Sequence, residues 1–420
     1  MVSYKSDFLQ QAEERGFIFQ GTDLQALDGI LAKGPVTAYV GFDATADCLH
    51  VGSLVPIMFL RLFQKTGHKP LVLMGGGTTR VGDPSGKDMS RQLLSEEQIE
   101  KNVQSIVQIF NTYLTFGKGS IDAELINNKY WLENLNYIEF LCDYGRHFTI
   151  NRMLTFESVK LRLDREQPLT FLEFNYMILQ AFDFVKLAED YNCLLQLGGS
   201  DQWGNIVNGV DLTRRVLNKE VFGLTAPLIM TSAGEKMGKT AAGAVWLRAD
   251  RLSPYDFWQY WRNTADADVG RFLRLFTDLP ISEILKLESL QGEEINEAKK
   301  ILADEVTMIL HGKEVAQEVR LTAEKLFEEK SGGDLSSLPS ISVSKSALKG
   351  RLLVIDLLVE SGLVASKGEA RRLIRGGGAR INDQIIQDEH YQVTLEEMSQ
   401  DQEIKLSAGK KKHALIRVID

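Results

Sequence analysis

The chain has 420 residues, of which 44 % are hydrophobic and 25 % charged, with a net charge of −9. This is the composition of a globular protein too long for one ordinary domain, and its acidity excludes a uniformly basic nucleic-acid binder. Three scattered cysteines (Cys48, Cys142, Cys193) without a Cys-x-x-Cys pair, and six dispersed histidines, argue against a disulfide framework and a structural zinc. No apolar run reaches the roughly 18–20 residues of a membrane helix, and the first residues lack the apolar core of a signal peptide. A cytoplasmic protein with no membrane partner and no bound metal is expected.

From about Val36 to 232, short apolar runs alternate with helical patterns, which predicts a doubly wound parallel α/β sheet with helices on both faces. The expected strands are Val36–Phe42, Pro70–Gly75, Cys193–Leu197 and Leu228–Met230. The first runs into Phe42-Asp-Ala-Thr-Ala-Asp-Cys-Leu-His-Val-Gly-Ser53, and an apolar helical run (Leu54, Ile57, Phe59, Leu60, Phe63) follows. His50 therefore stands where backbone N–H groups and a positive dipole end can meet a phosphate. Taken alone, it is equally a helix-start residue.

After the second strand comes Gly75-Gly-Gly-Thr-Thr-Arg-Val-Gly-Asp-Pro-Ser-Gly-Lys87. A nucleotide P-loop needs Gly-x-x-x-x-Gly-Lys-Ser/Thr; here Gly82 stands four before Gly86 and Asp88 follows the lysine, so that reading is rejected. Asp83 remains as a ligating candidate. Ser95-Glu-Glu-Gln98 is a capping-box pattern opening a helix with Ile99, Val103, Ile106 and Phe110 on one face. A later helix carries Phe171, Phe174, Met177, Ile178 and Phe182, with Tyr176, Gln180 and Asp183 spaced i, i+4, i+7 as one polar stripe. Such a stripe either faces water or walls a pocket. Gly198-Gly-Ser-Asp-Gln-Trp-Gly-Asn205 is a further strand-to-helix junction, and strand carboxyl ends of this kind converge on one crevice. Gly234-Glu-Lys-Met-Gly-Lys-Thr240 sets two lysines three apart around a glycine, suited to a loop closing over a polyphosphate or simply to a charged turn.

Beyond Ser253 the pattern is purely helical to about Lys330, and Ser331–Ser344 is Ser/Gly/Pro-rich, as in a linker. Residues 351–420 hold 11 basic and 11 acidic residues, so the first 350 carry the whole −9. Within Ser366–Arg380, Lys367, Arg371, Arg372, Arg375 and Arg380 face only Glu369, a basic segment suited to a phosphate backbone.

Together these motifs resemble class I aminoacyl-tRNA synthetases, specifically the bacterial-type tyrosyl-tRNA synthetases. His50-Val-Gly-Ser53 is similar to the family's His-Ile-Gly-His signature, and Lys236-Met-Gly-Lys-Thr240 to its Lys-Met-Ser-Lys-Ser loop. The Gly-Phe-Asp-x-Thr-Ala-Asp, Gly-Asp-Pro-Ser and Gly-Gly-Ser-Asp-Gln-Trp-Gly-Asn runs match in order and spacing. The stretch from Ser361 to Asn382 resembles the S-four-like RNA-binding module.

The resemblance implies a catalytic nucleotide-binding domain over 1–232, a signature loop and connection over 233–252, and a helical anticodon-arm domain over 253–330. A flexible linker over 331–350 and a small α+β S-four-like domain over 351–420 would follow. It implies ATP-dependent activation of L-tyrosine and its transfer to tRNA, with Mg2+ accompanying ATP, no tightly bound cofactor, and a homodimer. Thr45, His50, Lys87, Arg91, Lys236, Lys239 and Thr240 would stabilise the departing pyrophosphate. Tyr39 and Asp183 would hold the tyrosine hydroxyl; Asp83, Tyr176 and Gln180 its ammonium; Gln202 would lie near its carboxylate. Gly41, Asp43, Gly52, Gly199, Asp201 and Lys239 would take the nucleotide, and Lys367, Arg371, Arg372 and Arg375 the RNA. Ser53 departs from the signature's second histidine, which weakens a nucleotide-side contact there. Two other readings stay open at this stage: the tryptophan enzyme, disfavoured by Tyr39 with Asp183, and a non-catalytic RNA-binding relative.

Overall fold

The computed structural model describes residues 3–85, 94–232, 234, 237–240, 243–328, 338–348, 352–399, 402–409 and 412–419, with side chains left out at 157–158, 239–240 and 325–328. Its contacts group into two units: Met1–Gly238 with Trp246–Arg248 and Ala265–Ala298, and Lys239–Val245 with Ala249–Thr264 and Lys299–Asp420.

The first unit is built on a six-stranded sheet: β1 (Gln20–Gly21), β2 (Thr37–Phe42), β3 (Lys69–Met74), β4 (Glu124–Asn127), β5 (Cys193–Gly199) and β6 (Phe222–Ala226). The spatial order is β1-β6-β5-β2-β3-β4, with β1 antiparallel at one edge and the other five strands parallel. β3 and β6 are almost continuously buried because helices cover both faces, as the near-unbroken apolar runs of parallel strands require. β2 and β3 are joined through helix Leu54–Lys65, whose Ile57, Phe59, Leu60 and Phe63 are wholly buried. Phe59 stacks between Phe8 and Phe17, with centroids at 5.5 and 4.9 Å. Each such ring contributes roughly 1.5–3 kcal/mol through burial.

Local chemistry sets the helix ends. Ser95 Oγ accepts the Gln98 N–H at 3.2 Å to start helix Glu96–Tyr113, while the Gln98 side chain reaches forward to Asn102 instead of closing the expected box. Helix Phe171–Asp190 does open on a complete capping box, Thr170 with Glu173. Asn218 in the left-handed region ends helix Trp203–Leu217. Arg15 donates to the carbonyls of Arg274, Thr277 and Leu279, tying the first helix to the 265–298 segment.

In the second unit, a short pair of strands, β7 (Lys239–Thr240) and β8 (Gly243–Ala244), runs antiparallel. Helices Pro254–Arg262 and Lys313–Glu328 pack together, and Asp304 accepts from Trp258 Nε1 at 2.7 Å and from Arg320 at 2.5 Å. A second sheet comprises β9 (Ser340–Ser344), β10 (Ala379–Ile381), β11 (Gln384–Ile385), β12 (Glu403–Ala408) and β13 (Lys412–Ile419), in the order β11-β10-β12-β13-β9. Its core gathers Val343, Leu357, Leu358, Ile374, Ile404 and Ile416.

Three expectations are corrected. Leu228–Met230 is not a strand; the strand is Phe222–Ala226, which stops ahead of Pro227. The stretch 331–350 is not a linker throughout, because Ser340–Ser344 pairs in parallel with β13 and Lys345–Leu348 is helical. The serines there hide a period-2 strand in which Ile341 and Val343 are the core-facing positions. The helical run from Ser253 also does not group as one body, since residues 265–298 go with the first unit.

Candidate active site

Chain order sets the site. From β2 the chain adds β3 and β4 on one side, then returns to place β5 and β6 on the other, so the direction switches between β2 and β5. At that point the carboxyl ends of neighbouring strands part and leave a crevice. A cavity of ≈ 290 Å³ opens there, walled by Gly41 and Phe42 of β2, Gly198 and Gly199 of β5, and the polar stripe of helix Phe171–Asp190. Tyr176, Gln180 and Asp183 all face it, which settles the stripe as a pocket wall.

One wall of this cavity carries Tyr39 and Asp183, which are 1 % and 2 % exposed. Asp183 accepts hydrogen bonds from Trp131 Nε1 at 2.8 Å and Asn128 Nδ2 at 2.9 Å. Burial nonetheless pushes its carboxyl up to about 7; the two donors oppose the rise and the charge of Asp43 adds to it. The Tyr39 ring packs edge-on against Phe184, yet its hydroxyl has no partner among the described residues. Burial, and then the charge of Asp183, hold that phenol well above its ordinary value, so it stays a hydrogen-bond donor.

A polar chain leads from Asp183 along the wall. Asn128 Nδ2 also lies 3.0 Å from Thr78 Oγ1, and Thr78 donates to Asp43 Oδ1 at 2.8 Å. The Tyr176 hydroxyl donates to Asp43 Oδ2 at 3.1 Å. A second group joins Gln202 Nε2 to Asp83 at 2.8 Å, and Asn205 Nδ2 to the carbonyls of Gln180 and Gln202. Four carboxyl groups (Asp43, Asp83, Asp183, Asp201), two phenols and amide oxygens therefore line this cavity, an arrangement that favours a cation.

At the first signature, His50 Nδ1 accepts the Gly52 N–H at 3.0 Å, which fixes the ring proton on Nε2. The Gly52 amide is therefore committed to His50, and Gly52 meets the cavity as a side-chain-free wall. Gly238 of the second signature packs directly on that turn: a Cβ there would lie 2.7 Å from His50 Nδ1 and 2.9 Å from the Gly52 nitrogen, and φ is +100°. Downstream, Leu247 N–H donates to the Leu49 carbonyl, and His50 bridges to Trp246. Ser53 also lines the cavity.

Of the residues singled out from sequence, Tyr39, Gly41, Asp43, Gly52, Asp83, Tyr176, Gln180, Asp183, Gly199, Asp201 and Gln202 share this one cavity. Thr45 and His50 are not among its walls. Asp43, expected on the nucleotide side, is bonded into the Tyr176–Thr78 chain. Lys87, Arg91 and Lys236 lie outside the described residues. For Lys239 and Thr240 only the backbone is described, as β7 in the second unit. Also in that unit, Lys367, Arg371, Arg372 and Arg375 share helix Lys367–Arg375; Lys367 pairs with Asp356, and Arg371 and Arg375 pair with Glu389. Sequence reading missed Thr78, Asn128 and Trp131. The last two follow β4, whose Leu125-Ile126-Asn127 run is short enough to pass as loop, although it is another strand carboxyl end. No group of three or more His, Cys, Asp or Glu side chains able to hold a metal occurs among the described residues.

Comparison with known proteins places the chain in a family. Residues 31–328 match the family described as tRNA synthetases class I (W and Y), and residues 333–416 match the tyrosine–tRNA ligase SYY-like C-terminal domain. The chain is 59 % identical over 419 residues to the tyrosine–tRNA ligase of Rhodospirillum rubrum, covering 100 % of both chains. It is 56 % identical over 418 residues to that of a Caulobacter species, covering 100 % of this chain and 99 % of the relative. Among solved structures, a C-terminally truncated mitochondrial tyrosyl-tRNA synthetase of Aspergillus nidulans superposes with a TM-score of 0.69 at 31 % identity, over 76 % of this chain and 94 % of that one.

Proposed function

The chain belongs to the class I tRNA synthetases of the tryptophan and tyrosine type, and from that premise we infer that it joins L-tyrosine to tRNA. It activates tyrosine with ATP to tyrosyl-adenylate and pyrophosphate, then passes the tyrosyl group to the 3′ end of its tRNA. In the first step a tyrosine carboxylate oxygen attacks the α-phosphorus and the bond to pyrophosphate breaks. In the second, a terminal ribose hydroxyl attacks the tyrosyl carbonyl and AMP leaves. Neither attack needs a strong base, so positioning and charge stabilisation carry most of the rate.

The observation that carries the tyrosine reading is the buried pair Tyr39 and Asp183. A phenol hydroxyl both accepts and donates; Tyr39 has a donor without a partner among the described residues, and Asp183 offers an acceptor in the same wall. Phenylalanine would leave the Tyr39 hydroxyl unpaired, at roughly 1–3 kcal/mol for a buried polar group, and would deny Asp183 the further donor that a phenol brings. In this reading Asp83, Tyr176 and Gln180 hold the substrate ammonium, with Asp43 behind Tyr176, and Gln202 lies near the carboxylate. Asp201 and the Gly199 backbone take the ribose, and Gly41 and Gly52 leave room for the nucleotide. His50, donating from Nε2, and Thr45 act on the pyrophosphate with Lys87, Arg91, Lys236, Lys239 and Thr240. Mg2+ arrives with ATP as part of the substrate.

The partner readings are proposals of the same standing. The segment 130–172 exposes Tyr130, Tyr137, Ile138, Ile150 and Phe171, at 57–76 % each, and supports a homodimer that covers them. Residues 351–420 contribute RNA contacts through Lys367, Arg371, Arg372 and Arg375, and helices Pro254–Arg262 and Lys313–Glu328 contacts to the anticodon arm. No helix among the described residues is long and apolar enough to cross a membrane, and the cytoplasm is the proposed site of action.

ATP–pyrophosphate exchange with tyrosine, tryptophan and phenylalanine tests the activity. Exchange with tyrosine alone is expected. Exchange with tryptophan instead would overturn the specificity, and RNA binding without any exchange would favour a non-catalytic relative.

A further inference from the structure

The loop from β2 to helix Leu54–Lys65 carries Thr45, and the peptide just ahead of it is held from two directions. Ala44 is completely buried and belongs to neither strand nor helix, so its backbone groups need partners from elsewhere. Its N–H donates to Thr79 Oγ1 at 2.8 Å, and its carbonyl accepts from Asn102 Nδ2 at 2.8 Å. Thr79 stands in the turn Thr78–Arg80 beyond β3; Asn102 stands inside helix Glu96–Tyr113. On one side of Ala44, Thr78 fixes the Asp43 carboxylate; on the other, Arg248 donates to the Asp47 carbonyl and reaches Ser105 on the Asn102 helix. Thr45, next after the held peptide, is exposed.

Asn102 is 2 % exposed, and asparagine is a poor helix former that gains little from a helix interior. Both ends of its amide are used: Gln98 Nε2 donates to Oδ1 at 2.8 Å, which turns Nδ2 toward Ala44. Thr79 is likewise a buried hydroxyl serving as acceptor for a backbone N–H. Two buried polar side chains from separate elements thus converge on one loop peptide beside the site.

We propose that Asn102 and Thr79 are positioning residues for adenylate formation, which fix the Ala44 peptide and through it the place of Thr45 at the pyrophosphate end of ATP. The proposal rests on the role given to Thr45 above. A group aimed at a transition state loses on the order of 10- to 100-fold in rate when displaced by about an ångström. Ground-state binding of tyrosine, which uses cavity walls that Thr45 does not form, should not change.

Single-turnover adenylate formation with the full chain tests this, alongside equilibrium dialysis of tyrosine and thermal melting. Asn102→Asp keeps the shape but turns an acceptor toward the Ala44 carbonyl. Thr79→Val keeps the shape and loses the acceptor, and Thr79→Ser retains it. Asn102→Asp and Thr79→Val should slow the step about 10- to 100-fold with tyrosine affinity unchanged, and Thr79→Ser should restore the parent rate. In a Thr45→Ala background, either change should add little further loss. Full multiplicative loss in that background would overturn the proposal, as would Thr79→Ser as slow as Thr79→Val, or lowered melting with an unchanged rate. A Thr45→Ala protein that reacts at the parent rate would instead remove the role of Thr45 itself.

Discussion

The carboxyl of Asp183 makes tyrosine binding depend on pH in a way that can be worked out in advance. Burial holds it at about 7 in the free protein. Near pH 6 it is therefore mostly protonated, and a tyrosine hydroxyl that donates to the carboxylate must first displace that proton. The complex favours the ionised form, so affinity rises with pH up to about 7 and levels off above it. Below that point binding weakens by up to about tenfold per pH unit. Asp183→Asn removes the titration and loses a hydrogen bond to a charged acceptor, worth about 1.5–3 kcal/mol, or roughly 10- to 150-fold in Kd above pH 8. Equilibrium dialysis of labelled tyrosine from pH 5.5 to 8.5, on parent and Asp183→Asn proteins, reads both effects. Phenylalanine, with no hydroxyl to donate, serves as the control and should show no such slope. A flat tyrosine profile in the parent, or a slope that survives in Asp183→Asn, would refute the assignment of Asp183.

The same carboxyl affects folding with a defined sign. Its folded value lies above the unfolded one, so its contribution is present below about pH 4 and is lost as pH rises through 7; chemical denaturation should show Asp183→Asn gaining on the parent across that window and no further above it. Tyr39→Phe removes a buried hydroxyl without a partner, so stability should hold or rise by up to about 1 kcal/mol, while tyrosine binding weakens by roughly 0.5–1.5 kcal/mol in calorimetric titration. Gly238→Ala places a methyl against His50 at a left-handed φ; kcat for pyrophosphate exchange should fall at least about tenfold with tyrosine Kd unchanged, and an unchanged kcat would remove the Gly238–His50 packing from the mechanism. Removing residues 333–420, a cut that takes β9 with the rest of its sheet, should leave pyrophosphate exchange intact and weaken tRNA charging; collapse of exchange would contradict this division of labour.

Much of the site was legible because its signals are local. The strand runs at Lys69–Met74 and Cys193–Gly199 end in glycine-rich junctions, that at Thr37–Phe42 leads to the His50-Val-Gly turn, and the i, i+4, i+7 spacing of Tyr176, Gln180 and Asp183 needs only a helix to bring them together. What escaped depends on distant partners. Asn128 and Trp131 matter because the fold carries the end of β4 against Asp183, 55 and 52 residues away in sequence. Asn102 reads as an ordinary polar helix residue until Ala44, 58 positions earlier, is seen beneath it. The commitment of the Gly52 amide to His50 depends on a turn geometry that His-Val-Gly alone does not specify. Ser340–Ser344 was hidden by composition, since a strand flanked by serines looks like a linker until β13 supplies its pairing. Local pattern thus marks the walls, and long-range hydrogen bonds decide how they are held.

The central claim is that Tyr39 and Asp183 together select a phenol, and a crystal structure of the protein with a non-hydrolysable tyrosyl-adenylate analogue tests it most directly. The account predicts the phenolic oxygen within about 2.6–3.2 Å of both the Tyr39 hydroxyl and an Asp183 oxygen, with the ammonium among Asp83, Tyr176 and Gln180. A ligand bound with its ring directed away from Tyr39 and Asp183, or with those two groups bonded to water and not to the phenol, would contradict it.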